Sequence, residues 1–98
     1  MENILKEKKL FSIPNIEGYL ITEYGEVFSL RNQRFLSPRE TKGGYLDLNM
    51  TIKGKKTKLY IHKLVALTFL GKSTLPVRHK DGKKNNNYYK NLEYINRG

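Results

Sequence analysis

The chain contains no cysteine, so neither a disulfide nor a thiolate zinc site can brace the fold, and nothing argues for an oxidising compartment. It also lacks any apolar run near the roughly 20 residues needed to span a bilayer. Met1 to Leu10 carries three Lys without an apolar stretch or a small-residue cleavage site, so we expect neither a signal peptide nor a membrane anchor. The expected setting is intracellular and cytoplasmic.

Acidic residues are scarce where they would matter most. Residues 1–30 hold three Lys and five Glu, a net −2, whereas residues 31–98 hold sixteen Lys or Arg against four acids, a net +12. The formal charge of +10 therefore sits on two thirds of the chain, the electrostatic footprint of a nucleic-acid binder. The competing reading is a solubilising Lys-rich surface. A membrane-surface role calls for a basic amphipathic helix, whereas these Lys fall in strand-like and loop-like segments. Ninety-eight residues suit one compact domain, or two small subdomains sharing a core, burying about 60 to 65 per cent of the extended surface.

Met1 to Leu10 is polar and weakly helical, a short arm with no assigned function. Phe11 to Asn15 is extended around Pro14. Gly18 to Glu23 then reads as a strand, turned at Tyr24-Gly25 into Glu26 to Leu30. Arg31 to Gly44 reads as a basic connection with turn chemistry at Pro38 and Gly43-Gly44. In the next stretch Leu46, Leu48, Met50 and Ile52 alternate with Tyr45, Asp47, Asn49 and Thr51, which predicts a strand with one buried and one wet face. Lys53-Gly54-Lys55 makes a turn, and the return strand Lys56 to Ile61 sends Lys56, Lys58 and Tyr60 to one side. At His62 the period changes: Ile61, Leu64, Val65, Thr68 and Phe69 form the stripe of a short helix from His62 to Leu70, stopped before Gly71. Val77-Arg78-His79 reads as a short strand, Asp81-Gly82 as a turn, Lys83 to Lys90 as an Asn-rich loop, and Leu92 to Ile95 as the returning strand.

Two pieces carry a resemblance. The first is Ile13 to Leu30, of the form Ile-Pro-x-x-Glu-Gly-Tyr-x-Ile-Thr-x-Tyr-Gly-Glu-Val-Phe-Ser-Leu. The second comprises His62-Lys63-Leu64-Val65-Ala66, Phe69, Val77-Arg78-His79-Lys80-Asp81-Gly82, Asn86-Asn87 and Asn91-Leu92. In this order they resemble phage and intron-encoded HNH homing endonucleases and cover most of the chain. The resemblance implies an α+β fold: a small antiparallel β region, one short helix and a terminal two-stranded remnant of the ββα-metal finger. We expect a single domain over residues 1–98, with a β-rich DNA-contacting part at 11–61 and a truncated HNH-like part at 62–98.

Carried over position by position, His79 matches the general base that activates water, and Asn91 the Asn that fixes the loop. Arg78 stands where the family has a metal-binding Asp or Asn, and the closing helix with its last ligand would lie past Gly98. A guanidinium has no lone pair and repels a cation whose oxygen ligands sit at about 2.0 to 2.1 Å. We therefore expect His79 to be vestigial, with no cofactor bound and Mg2+ needed only if the site is active. Asp81 is a candidate substitute ligand, although its place before Gly82 suits a turn former better. Each of these residues has a structural reading too. His79 can be an imidazole bonded to a nearby carbonyl, His62 a cap or packing residue, and Asn85, Asn86, Asn87 and Asn91 turn formers. Tyr88 and Tyr89 either pack or touch sugar and bases.

The expected function is binding of double-stranded DNA. Lys53, Lys55, Lys56 and Lys58, with Tyr60, would contact it on one side, and Arg78, Lys80, Lys83, Lys84 and Lys90 on the other. Arg78 would pair with the phosphate that the family cuts. Two alternatives differ in class: a phage-type effector that binds and inhibits a host protein, and a Mg2+-dependent nicking endonuclease that uses His79 with a ligand supplied in trans.

Overall fold

Turn chemistry organises the N-terminal half. Pro14 and Asn15, the latter at φ 63, reverse the chain between β1 (Phe11–Ile13) and β2 (Ile16–Ile21). Gly25 at φ 88 and the Thr22 hydroxyl, which accepts from the backbone N–H groups of Tyr24 and Glu26, close the turn into β3 (Val27–Ser29). With β4 (Arg34–Phe35) these form a four-stranded antiparallel meander in chain order. The computed structural model describes residues 8–96. The weakly helical arm expected at the N-terminus thus falls largely outside the described residues.

A second sheet follows, ordered β5 (Arg39–Glu40), β6 (Leu46–Ile52), β7 (Lys55–Tyr60), all antiparallel. Lys53 and Gly54 both have positive φ, 51° and 80°, the backbone twist that a two-residue hairpin loop requires. The Tyr19 hydroxyl accepts from the Thr51 N–H at 2.8 Å and joins the two sheets. Helix α1 starts at Ile61, one residue before the expected start at His62. It runs as an α-helix to Val65 and continues in wider π-type turns from Ala66 to Leu70. Thr68 donates its hydroxyl to the Leu64 carbonyl, the back-bonding that loosens regular winding, and Gly71 at φ 98 ends the helix. The last sheet pairs β8 (Val77–His79) with β9 (Leu92–Tyr94), and a 3-10 turn at Tyr89–Asn91 leads into β9.

One apolar core links these pieces. Ile13, Ile21 and Val27 of the first sheet, Leu48 and Met50 of the second, Ile61, Leu64 and Val65 of α1, and Leu92 of β9 are all buried together. The architecture is the α+β arrangement the motifs implied.

Two further details depart from the sequence reading. The basic connection from Arg31 to Gly44 contains two short strands, β4 and β5. Phe35 packs edge-on against Phe28 across the β3–β4 pair, ring centroids 5.1 Å apart; two-residue strands held by such non-local contacts leave no periodicity to read. Asp47, placed on the wet face by alternation, is 1 % exposed. Strand β5 adds Arg39 directly opposite it, and the Arg39 Nε lies 3.6 Å from Asp47 Oδ1. Further along the same face, Asn49, Thr51, Lys56, Lys58 and Tyr60 are exposed as expected.

Candidate active site and nucleic-acid interface

His79 ends β8 with its ring turned inward and 7 % exposed. Its Nε2 lies 2.8 Å from Oδ1 of Asn87, itself buried. A carbonyl oxygen can only accept, so Nε2 carries the proton, and in the neutral ring Nδ1 holds the lone pair. The nearby-carbonyl reading of His79 is therefore met, by a side chain rather than the backbone. Asn87, which sequence reasoning treated as a turn former, is a partner of the candidate base. The only signal for it was its place in the Asn86-Asn87 pair.

Asn91 closes the loop between β8 and β9. Its Nδ2 donates to Asp81 Oδ1 and to the Asn86 carbonyl, both at 2.9 Å, and its Oδ1 accepts from the Asp81 N–H at 3.2 Å. Asp81 also accepts from the Asn86 side chain and from the Lys83 N–H, each at 2.8 Å. The bonds from Asn86, Lys83 and Asn91 hold the Asp81 carboxyl down at about 2. It is a turn-organising carboxylate, exposed to water.

Strand pleat sends Arg78 away from its buried neighbour. Arg78 is exposed and donates from Nε to Glu93 Oε2 at 2.8 Å, with a second bond from its Nη2 to the same oxygen. Glu93 lies directly across the β8–β9 pair. The divalent cation implied by the resemblance does not fit this donor set. Position 78 offers a guanidinium already satisfied by Glu93, and Asp81 is engaged by its own loop. Among the described residues, no three His, Asp or Glu side chains gather where they could hold a metal ion.

An open cleft of about 380 Å3 lies between Tyr45, Arg78, His79, Gly82 and Lys84. Tyr45 covers two imidazoles, its ring 5.0 Å from that of His62 and 6.1 Å from that of His79. Lys84 holds this cover: its Nζ donates to the Gly43 carbonyl at 2.8 Å and lies 4.8 Å over the Tyr45 ring. His62 is 6 % exposed, 5.2 Å from His79 between centroids, and its Nδ1 has no hydrogen-bond partner among the described residues. Burial, then the neighbouring His79 and Lys63, push its pKa down from 6.5 to about 4.

Because the folded pKa of His62 lies below the unfolded value, the unfolded chain takes up this proton first as pH falls. The contribution of a neutral His62 is complete above about pH 6.5 and is lost toward pH 4. We expect wild type to lose about 2–3 kcal/mol between pH 7 and 4.5 from this group, measured by urea unfolding against His62→Phe. Parallel pH profiles for the two proteins would contradict this.

The other candidate contacts lie at the surface. Lys53, Lys55, Lys56, Lys58 and Tyr60 are exposed on the β6–β7 hairpin, and Lys80, Lys83, Lys84 and Lys90 on the loop around His79. No helix among the described residues is long and apolar enough to cross a membrane.

No family model matches the chain. Relatives do. An uncharacterized HNH endonuclease of Acanthamoeba polyphaga mimivirus is 38 % identical over 92 residues, which make up 91 % of this chain and 22 % of that protein. The DNA endonuclease I-HmuI of Bacillus phage SP01 is 35 % identical over 86 residues, 85 % of this chain and 49 % of that protein. A solved structure describing DNA binding and cleavage by the HNH homing endonuclease I-HmuI matches with a TM-score of 0.81 and 34 % identity, over 89 % of this chain and 52 % of that one. The chain thus spans about half, or less, of the length of the relatives it matches. By sequence and by fold alike, it belongs to the HNH homing endonuclease family.

Proposed function

We propose that this chain binds double-stranded DNA and does not cut it. The observation that carries the reading is the exchange of charge at the family's site: a cation at position 78 where the family has a metal donor, with Lys80, Lys83, Lys84 and Lys90 exposed in the segment that follows it. Phosphate is the natural ligand of such a surface. Arginine and lysine hold it through charge-assisted bonds and fix the position of a duplex without reading its sequence. Arg78 reaches a phosphate by exchanging Glu93 for it. The Lys56, Lys58 and Tyr60 face of the second sheet lies against or within a groove, as β-ribbon readers do. The relatives support DNA as the polymer, since I-HmuI is a DNA endonuclease whose structure describes DNA binding.

A specific observation favours the rival reading of a nicking enzyme. The Asn87 bond leaves Nδ1 of His79 as the acceptor, the orientation a working general base requires. A base alone leaves the developing charge on phosphate and leaving oxygen without the electrostatic stabilisation that makes up the larger part of such catalysis. Binding without hydrolysis is therefore the stronger reading, with the cytoplasm of an infected cell as its setting. Titration of a labelled duplex at increasing salt tests the binding half of this proposal.

A further inference from the structure

Four aromatic contacts run from the core to the surface, outside the duplex-binding residues named above. Phe11 packs on Phe69 at 5.0 Å, Phe69 on Tyr89 at 5.3 Å, Tyr89 on Tyr88 at 5.3 Å, and Tyr88 on Tyr24 at 4.7 Å with 17° between the planes. Only the last pair is stacked face to face. Tyr24 is 62 % exposed although Tyr88 covers one of its faces, so the other face of the ring stands in water. Burial therefore does not account for this ring.

The platform is tied to the fold and placed beside the candidate site. The Tyr89 N–H donates to the Glu23 carbonyl at 2.9 Å, which ties the β2–β3 turn to the loop. Tyr88 directly follows Asn87, the partner of His79. Beside Tyr24 opens a cavity of about 240 Å3 lined by Lys8, Lys9, Thr22, Glu23 and Tyr24. Lys8 is paired with Glu26 and Glu23 borders the same space, so this side is near neutral. The cationic side is the loop, where Lys90 lies 5.9 Å over the Tyr89 ring. An open aromatic face, connected to the core by the ladder and with Lys90 over the adjoining Tyr89 ring, matches the chemistry of a stacking platform for a nucleic-acid base.

We propose that Tyr24, backed by Tyr88, stacks on an unpaired DNA base, so that the protein prefers duplex DNA with a single-stranded end to fully paired DNA. This rests on the DNA-binding reading and adds the form of DNA bound. Preorganisation supports it, since one face of the ring is already stacked on Tyr88, which reduces the freedom lost on stacking a base against the other.

The test compares a blunt duplex with one of equal length carrying a short overhang that contains 2-aminopurine. The overhang DNA should bind about ten-fold tighter, within the range contributed by one stacked base, and the 2-aminopurine fluorescence should be quenched. Tyr24→Ala, an exposed change, should abolish both effects, and Tyr24→Phe should retain them because the ring and not the hydroxyl makes the contact. Equal affinity for the two DNAs, an unquenched probe, or a preference that survives Tyr24→Ala overturns the proposal. Salt-dependent binding of the blunt duplex would then leave the DNA-binding reading standing, whereas failure to bind either DNA defeats both.

Discussion

Raising salt from 50 to 200 mM should weaken binding to a duplex of 25–30 base pairs by about a thousand-fold to ten-thousand-fold. The slope of log K against log salt should be roughly −5 to −7, as expected when six to eight phosphates are neutralised and their counterions released. The number follows from the surface. Lys53, Lys55, Lys56 and Lys58 stand exposed on one hairpin, and Arg78, Lys80, Lys83, Lys84 and Lys90 on the loop around His79. Of these nine, Arg78 is bonded to a carboxylate and Lys84 to the Gly43 carbonyl, which is why fewer than nine contacts are expected. Fluorescence anisotropy across four salt concentrations measures the slope. A nearly flat dependence would mean that the lysines only solubilise the chain.

The second large effect concerns the joint that brings the site together. Gly25 has φ +88, and a Cβ there would come within 2.8 Å of Ile61 Cγ2 and 3.0 Å of Asn87 Cβ. Both neighbours are buried, one starting helix α1 and the other holding His79. Gly25→Ala adds the strain of a positive φ to overpacking of a closed contact, together about 2–4 kcal/mol. For a domain of this size that lowers Tm by about 10–25 °C. Gly54→Ala is the control: its φ is +80, but nothing lies within 4 Å of the added Cβ. It should cost only about 1 kcal/mol. Equal losses in the two variants by calorimetry would show that close packing at Gly25 is not what the joint depends on.

Legibility in the sequence followed the range of the interactions. The β6–β7 hairpin was readable because strict alternation from Leu46 to Ile52 and the Lys53-Gly54 turn are local signals. The helix was readable from its three-and-four spacing, although its π-wound second half, where Thr68 turns its hydroxyl back onto the Leu64 carbonyl, was not. Strands β4 and β5 are two residues each and exist only through their partners. Asp47 follows the alternation faithfully yet is buried, because Arg39 comes to lie across from it. At the site, His79 and Asn91 were identified through a family pattern. The role of Asn87 was hidden because an Asn in a polar loop has a sufficient local explanation as a turn former. The stack of Tyr24 on Tyr88 joins residues distant in the chain, and composition cannot anticipate such a pair.

The same distinction separates the two halves of the proposed function. Positive charge is additive and readable from counts, whereas catalysis depends on which atoms converge. Around His79 the convergence is partial: an oriented base with Asn87 behind it, next to an arginine bonded to Glu93 and an aspartate committed to its own turn.

Relaxation of supercoiled plasmid in Mn2+, followed for wild type and His79→Ala at protein concentrations that saturate the DNA, is the most direct test. Wild type and variant should leave the plasmid supercoiled to the same extent while both shift its mobility through binding. Nicking by the wild type that disappears in His79→Ala would contradict the account, because it would mean that the imidazole still works against a metal the arginine was expected to displace.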